Sequence, residues 1–198
     1  MSKVAKINRK EQILQALALE LERNPGERIT TAGLARAVGV SEAALYRHFP
    51  SKAKMFEALI EFSEESVFGL ITKVLVEQDG VFAQVERIIA IVLGFSAKNP
   101  GITRVLLGDA LIGENERLLK RTDQFFQRIE TQLRQVLREA ELKGQFHYQG
   151  NIGYFAEILT SFMEGQLSRY VRTRFSRRPD ENWPLKWLFL MKSLTADA

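Results

Sequence analysis

The 198-residue sequence predicts an all-α protein of about nine helices. Two observations carry that reading. Apolar residues recur at helical spacing in nearly every segment, and no alternating strand pattern competes with them. The breakers Asn24-Pro25-Gly26, Pro50-Ser51, Asp79-Gly80 and Asn99-Pro100-Gly101, with the stretch from Gly144 to Gly150, cut the chain into helix-length pieces.

Taken in order, Ile13, Leu14, Leu17 and Leu21 form the first apolar stripe. Short helices are expected at 32–38 and 42–47, followed by a long one capped by Ser51 and running to Glu77. A strongly apolar segment spans 81–97, and a short piece runs on to Leu107. The stripe at 114–142 is the clearest, with Leu118, Phe125, Phe126, Ile129, Leu133, Val136, Leu137 and Ala140 on one face. Its positions drift as a 3.6 repeat does, so a core or interface helix is preferred to a coiled coil. Another helix covers 151–175, with Ile158, Leu159, Phe162 and Met163 inward, and a last one covers 184–194.

Composition narrows the function. The absence of cysteine removes a disulfide scaffold, a Cys-ligated zinc site and a thiol nucleophile. No apolar run reaches the ~18 residues of a membrane helix, and the polar, basic residues 1–8 lack the apolar centre of a signal peptide. They read as a short arm on a soluble, cytoplasmic chain. Residues 1–60 hold ten Lys/Arg against six Asp/Glu, whereas 61–198 hold eighteen of each. The whole excess of +4 therefore sits in the first third, either as a solvated surface or as a lobe that meets a polyanion.

Residues 30–52, TTAGLARAVGVSEAALYRHFPSK, favour the polyanion. Thr31 can cap a short helix with Leu34, Ala35 and Val38 inward, Gly39 suits the left-handed stop, and Ser41 can cap the next helix. Helix, glycine turn, helix is the layout whose second helix enters the major groove. The candidate DNA-binding residues are Thr30, Thr31, Ser41, Glu42, Ala43, Ala44, Tyr46, Arg47, His48 and Lys52. Ala43 and Ala44 let the helix sink against base edges, Glu42 can accept from a cytosine amino group, and Arg47 can reach guanine or phosphate. Tyr46, His48 and Lys52 have the reach for phosphates, with plain packing the lesser alternative for Tyr46. Leu34, Leu45 and Phe49 read as the lobe's core. This divides the chain into a helix-turn-helix domain at 7–67 and a helical regulatory and dimerisation domain at 68–198.

The run Leu45-Tyr46-Arg47-His48-Phe49-Pro50-Ser51-Lys52, followed by Met55, Phe56 and Leu59, resembles the signature of the TetR family of dimeric repressors. Outside the DNA lobe, Leu59-Ile60-Glu61-Phe62, Gly94-Phe95, Asn99-Pro100-Gly101, Arg128-Ile129-Glu130 and the run 132–139 resemble that family's nucleoid occlusion branch. The resemblance implies a nucleoid-associated dimer, or a dimer of dimers, on palindromic chromosomal sites. It also implies that the DNA-bound form inhibits assembly of the division GTPase FtsZ, with Phe62, Gly94, Lys98 and Asn99 as the FtsZ-binding positions. Leu70 stands where the family carries a charge, a departure that puts that contact in question. The plain alternative makes Phe62 a core residue and Gly94 a helix-packing contact.

The rival function is a ligand-responsive TetR-type repressor of a local operon, with Phe82, Phe95, Phe125, Phe126, Phe155 and Phe162 lining an inducer pocket instead of filling a core. Catalysis has no footing: His48 and His147 lack an i, i+4 partner, and no nucleophile or phosphate-loop motif is present. Neither a cofactor nor a metal is expected. The basic run Arg169, Arg172, Arg174, Arg177 and Arg178 is either a solvated helix end or an anion site. The two long late helices, 114–142 and 151–175, are the expected dimer interface.

Overall fold

A computed structural model describes residues 8–77, 80–145 and 150–195; the N-terminal arm, Asp79 and His147 lie outside them. Nine α-helices are found among the described residues: α1 (Arg9–Arg23), α2 (Thr31–Val38), α3 (Glu42–His48), α4 (Lys52–Glu77), α5 (Val81–Lys98), α6 (Pro100–Leu106), α7 (Glu116–Leu142), α8 (Ile152–Arg172) and α9 (Trp183–Thr195). A single 3₁₀ turn, Asp109–Leu111, stands between α6 and α7. No described residue lies in a strand, and no described helix is long and apolar enough to cross a membrane.

The helices form two compact units that do not follow chain order: residues up to Ser63 together with 99–122, and residues 64–98 together with those from Asp123 onward. In the first unit, α1 packs on α6, α2 and α3. Ile13, Leu17 and Leu21 of α1 are buried with Leu34, Leu45, Phe49, Met55, Phe56, Val105 and Leu106. The approach of α6 to α1 depends on Gly101, where an added Cβ would lie 2.0 Å from the Ala18 carbonyl oxygen. Arg104 of α6 is buried and satisfied on several sides. It pairs with Asp109 at 2.5 Å and donates Nη1 to the carbonyls of Leu21 (2.7 Å) and Asn24 (2.9 Å). The guanidinium thus closes the C-terminal end of α1, where unpaired carbonyls would otherwise collect.

In the second unit, α5 packs against α8. The apolar stripe of α7 is buried as its periodicity demands, from Phe125 to Ala140. Phe125 meets Phe68 at 5.4 Å and Phe126 at 5.3 Å, both edge-on, so these rings interlock as core. Trp183 at the head of α9 is buried and donates to Glu86 of α5 at 2.5 Å.

Three details depart from expectation. Thr30, not Thr31, caps α2, its Oγ1 accepting from the Gly33 amide at 3.1 Å. Helix α8 ends at Arg172, because Arg174 and Phe175 turn to φ of 49° and 64°, well before Pro179. Ile158, expected inward, is 45% exposed on α8, while Leu159 and Met163 are buried.

Candidate nucleic-acid interface

The helix-turn-helix is built from local hydrogen bonds that its sequence supplies. Gly39 adopts φ 73° and ψ 37°, the left-handed region that a side chain resists. That bend lets Val40 donate its amide to the Ala35 carbonyl at 3.0 Å and ends α2. Ser41 then caps α3, its Oγ accepting from the Ala44 amide at 3.2 Å. Across the turn, the Thr31 hydroxyl donates to Glu42 Oε2 at 2.7 Å, joining the heads of α2 and α3. Leu45 and Phe49 are buried beneath α3, which sets the opposite face outward.

That outward face carries the predicted residues. Thr30, Ser41, Glu42, Ala43, Tyr46 and Arg47 are exposed, and Thr31, Ala44, His48 and Lys52 are half-buried. Tyr46 is 42% exposed, so its ring is no core residue. Ser51 caps α4 through the Lys54 amide at 3.2 Å, which puts Lys52 in the first turn of that helix. Lys52 already has an anion: its Nζ lies 2.6 Å from Glu114 Oε1, with side-chain exposures of 23% and 20%. Arg28 donates to the Ile112 carbonyl at 3.3 Å, a second tie between the lobe and the segment ahead of α7. Nothing in the sequence around Lys52 points to Glu114, which comes 62 residues later.

On another side of the same unit lies an open groove of about 300 Å³, lined by Glu11, Leu14, Gln15, Ala18, Leu59, Phe62, Asn99 and Ile102. Phe62 is 45% exposed there, which corrects its reading as a core residue. The groove therefore brings together two of the four positions assigned to a protein partner, Phe62 and Asn99. Leu14 and Ala18, one turn apart on α1, form its apolar wall; the breadth of the α1 stripe was the one sequence sign of it. Gly94 and Lys98 lie on α5 in the other unit, Lys98 exposed. A Cβ added at Gly94 would meet nothing within 4 Å, so among the described residues Gly94 is not a packing contact.

Comparison with known proteins agrees with this architecture. Residues 10–59 match the bacterial regulatory proteins of the tetR family, and residues 79–195 match the SlmA-like form of the tetracyclin repressor-like C-terminal domain. The chain is 54% identical to the nucleoid occlusion factor SlmA of Marinomonas sp. (strain MWYL1), covering 96% of both chains. It is 50% identical to that of Colwellia psychrerythraea, again over 96% of both.

The chain belongs to the SlmA nucleoid occlusion factors of the TetR family.

Among solved structures, the MbdR regulator from Azoarcus sp. CIB superposes with a TM-score of 0.80 over 94% of this chain and 99% of its own. At 17% identity that likeness speaks for the fold alone. For an SlmA-family chain, the helix-turn-helix is a DNA-binding element. The exposed residues of α3 are Glu42, Ala43, Tyr46 and Arg47.

Proposed function

We propose that this chain is a cytoplasmic, nucleoid-associated dimer that binds palindromic chromosomal sites and, once on DNA, inhibits FtsZ assembly over the nucleoid. The observation that carries the reading is the 54% identity with a named nucleoid occlusion factor over 96% of both chains. Helix α3 enters the major groove with Ala43 and Ala44 against the base edges and Arg47 on guanine or phosphate. Glu42 spends Oε2 on Thr31 and keeps Oε1 for a cytosine amino group. Thr30, Ser41, Tyr46 and His48 grip the flanking phosphates. Lys52 reaches a phosphate only by leaving Glu114, so the ion pair competes with DNA.

Dimerisation uses apolar surface that one chain leaves bare. The α7 stripe from Phe125 to Ala140 is buried, whereas Tyr154 and Ile158 on α8 and Leu185, Leu188 and Phe189 on α9 are exposed. The interface we propose runs over α8 and α9, where helix length pointed to α7 and α8. The apolar groove beside Phe62 seats a short segment of FtsZ.

FtsZ assembly followed by light scattering with a palindromic duplex present tests the reading. Phe62→Ala keeps the wild-type affinity for DNA and loses inhibition; Ala44→Glu, which puts a charge on the groove floor, weakens DNA binding by about a hundredfold and loses inhibition with it. Full inhibition by Phe62→Ala, or inhibition that needs no DNA, would reject the proposal.

A further inference from the structure

The basic run from Arg169 to Arg178, across the end of α8, is not spread evenly into solvent. Arg178 is taken by Asp180, with Nε and Nη2 at 3.0 and 2.8 Å from its two carboxylate oxygens. Arg177 instead lines a groove of about 450 Å³ together with Arg169, Ser176, Glu181, Asn182 and Lys186. Every one of these side chains is polar, and three cations face a single carboxylate.

The cations are crowded. Lys186 Nζ and Arg169 Nη2 both donate to the one oxygen of Gln166, at 3.0 and 2.9 Å. Arg169 Nε is buried with no acceptor. Arg177 makes no hydrogen bond or ion pair among the described residues. Burial first, and then the charge of Arg169, holds the Lys186 ammonium below the usual lysine range. The carbonyl end of α8 accounts for Arg169 and Arg172, since cations suit that end. It does not account for Lys186, which sits in the first turn of α9, the end that repels a cation.

A bound anion would satisfy all of these at once. We propose that the groove of Arg169, Arg177 and Lys186 binds a phosphate-bearing small anion, with Ser176 and Asn182 as neutral donors. A doubly charged phosphate balances the excess of two positive charges on the lining side chains. The volume lies within the range of small-molecule sites, about 300–1,000 Å³. Guanidinium groups suit phosphate oxygens because their planar N–H pairs match two acceptors at once.

The test is calorimetric titration of the full chain, free of DNA, with pyrophosphate at constant ionic strength. Arg177→Ala removes an exposed side chain that holds no internal partner, so it leaves the fold intact. It should weaken pyrophosphate binding by about tenfold, the ordinary weight of one charge-assisted hydrogen bond. Lys186→Met should do the same, and Arg47→Ala in the DNA lobe should leave it unchanged. Absence of saturable binding, or binding that Arg177→Ala leaves intact while Arg47→Ala weakens it, would overturn the proposal.

Discussion

At Lys52 two anions compete for one ammonium. In the free chain Glu114 holds it at 2.6 Å; in the proposed DNA complex a phosphate takes that place. The pair is three-quarters buried, so its attraction is screened less than that of a surface pair. Glu114→Gln should therefore tighten binding to a palindromic duplex by about fivefold, since roughly 1 kcal/mol of ion pairing no longer has to be broken. Lys52→Ala should lower the slope of log affinity against log salt by about 0.9 for each copy bound. In the Lys52→Ala background Glu114→Gln should change nothing, which fluorescence anisotropy across a salt series can read as a double-mutant cycle. An equal gain in both backgrounds would mean that Glu114 acts on DNA through its charge alone. Lys52 was legible in the sequence because it follows a run with a recognisable pattern. Glu114 was not, because it comes 62 residues later and nothing local links the two.

Among the elements, α1 and α6 show how close packing turns on one missing atom. Gly101→Ala must push α6 away from the Ala18 carbonyl, and backbone on both sides leaves little to give. Overpacking of this kind costs about 1–3 kcal/mol, so the thermal midpoint should fall by about 5 °C, read by circular dichroism. Gly94→Ala meets open space on α5 and should instead raise the midpoint slightly, because glycine weakens a helix interior. In α8, burial and then the neighbouring carboxylates of Asp123 and Glu130 raise the carboxyl of Glu164 above 4.5. A raised carboxyl binds its proton more tightly in the folded state, so stability falls as pH rises from about 4.5 through the folded value. Glu164→Gln should be more stable than the native chain at pH 7, with the gain vanishing below about pH 4.5. A constant difference across that range would mean that Glu164 acts through packing and not charge. The caps at Ser41 and Ser51 and the stop at Gly39 could be read from the sequence because they are local. The shift of the α2 cap to Thr30 could not, because adjacent threonines serve a helix head equally well until the chain direction is known.

The whole molecule depends on a second copy. One helix-turn-helix buries too little DNA for tight specific binding, so two must be held at a spacing the duplex dictates. Ile158→Glu places a charge in the exposed apolar surface of α8, where a partner copy would cover it. Analytical ultracentrifugation at micromolar concentration should show a monomer with unchanged helicity, and specific binding to the palindrome should be lost with the dimer. A dimer that survives this change would move the interface away from α8.

By itself the sequence determined the helices, their order, the helix-turn-helix and the basic lobe, because periodicity, caps and charge act over a few residues. The resemblance carried by the run from Leu45 to Lys52 pointed to the family for the same reason: a recognition helix is one contiguous stretch. The rest came from contacts between segments far apart in the chain. Folding exposed Phe62 beside Leu14, left Tyr154 and Ile158 of α8 and Leu185, Leu188 and Phe189 of α9 exposed, set Glu114 on Lys52, and gathered Arg169, Arg177 and Lys186 into one groove. A helix's apolar face must be covered, but its pattern does not say by what. A lone charge needs a partner, but its position does not name one. Those choices belong to contacts between distant segments, and only the folded chain makes them.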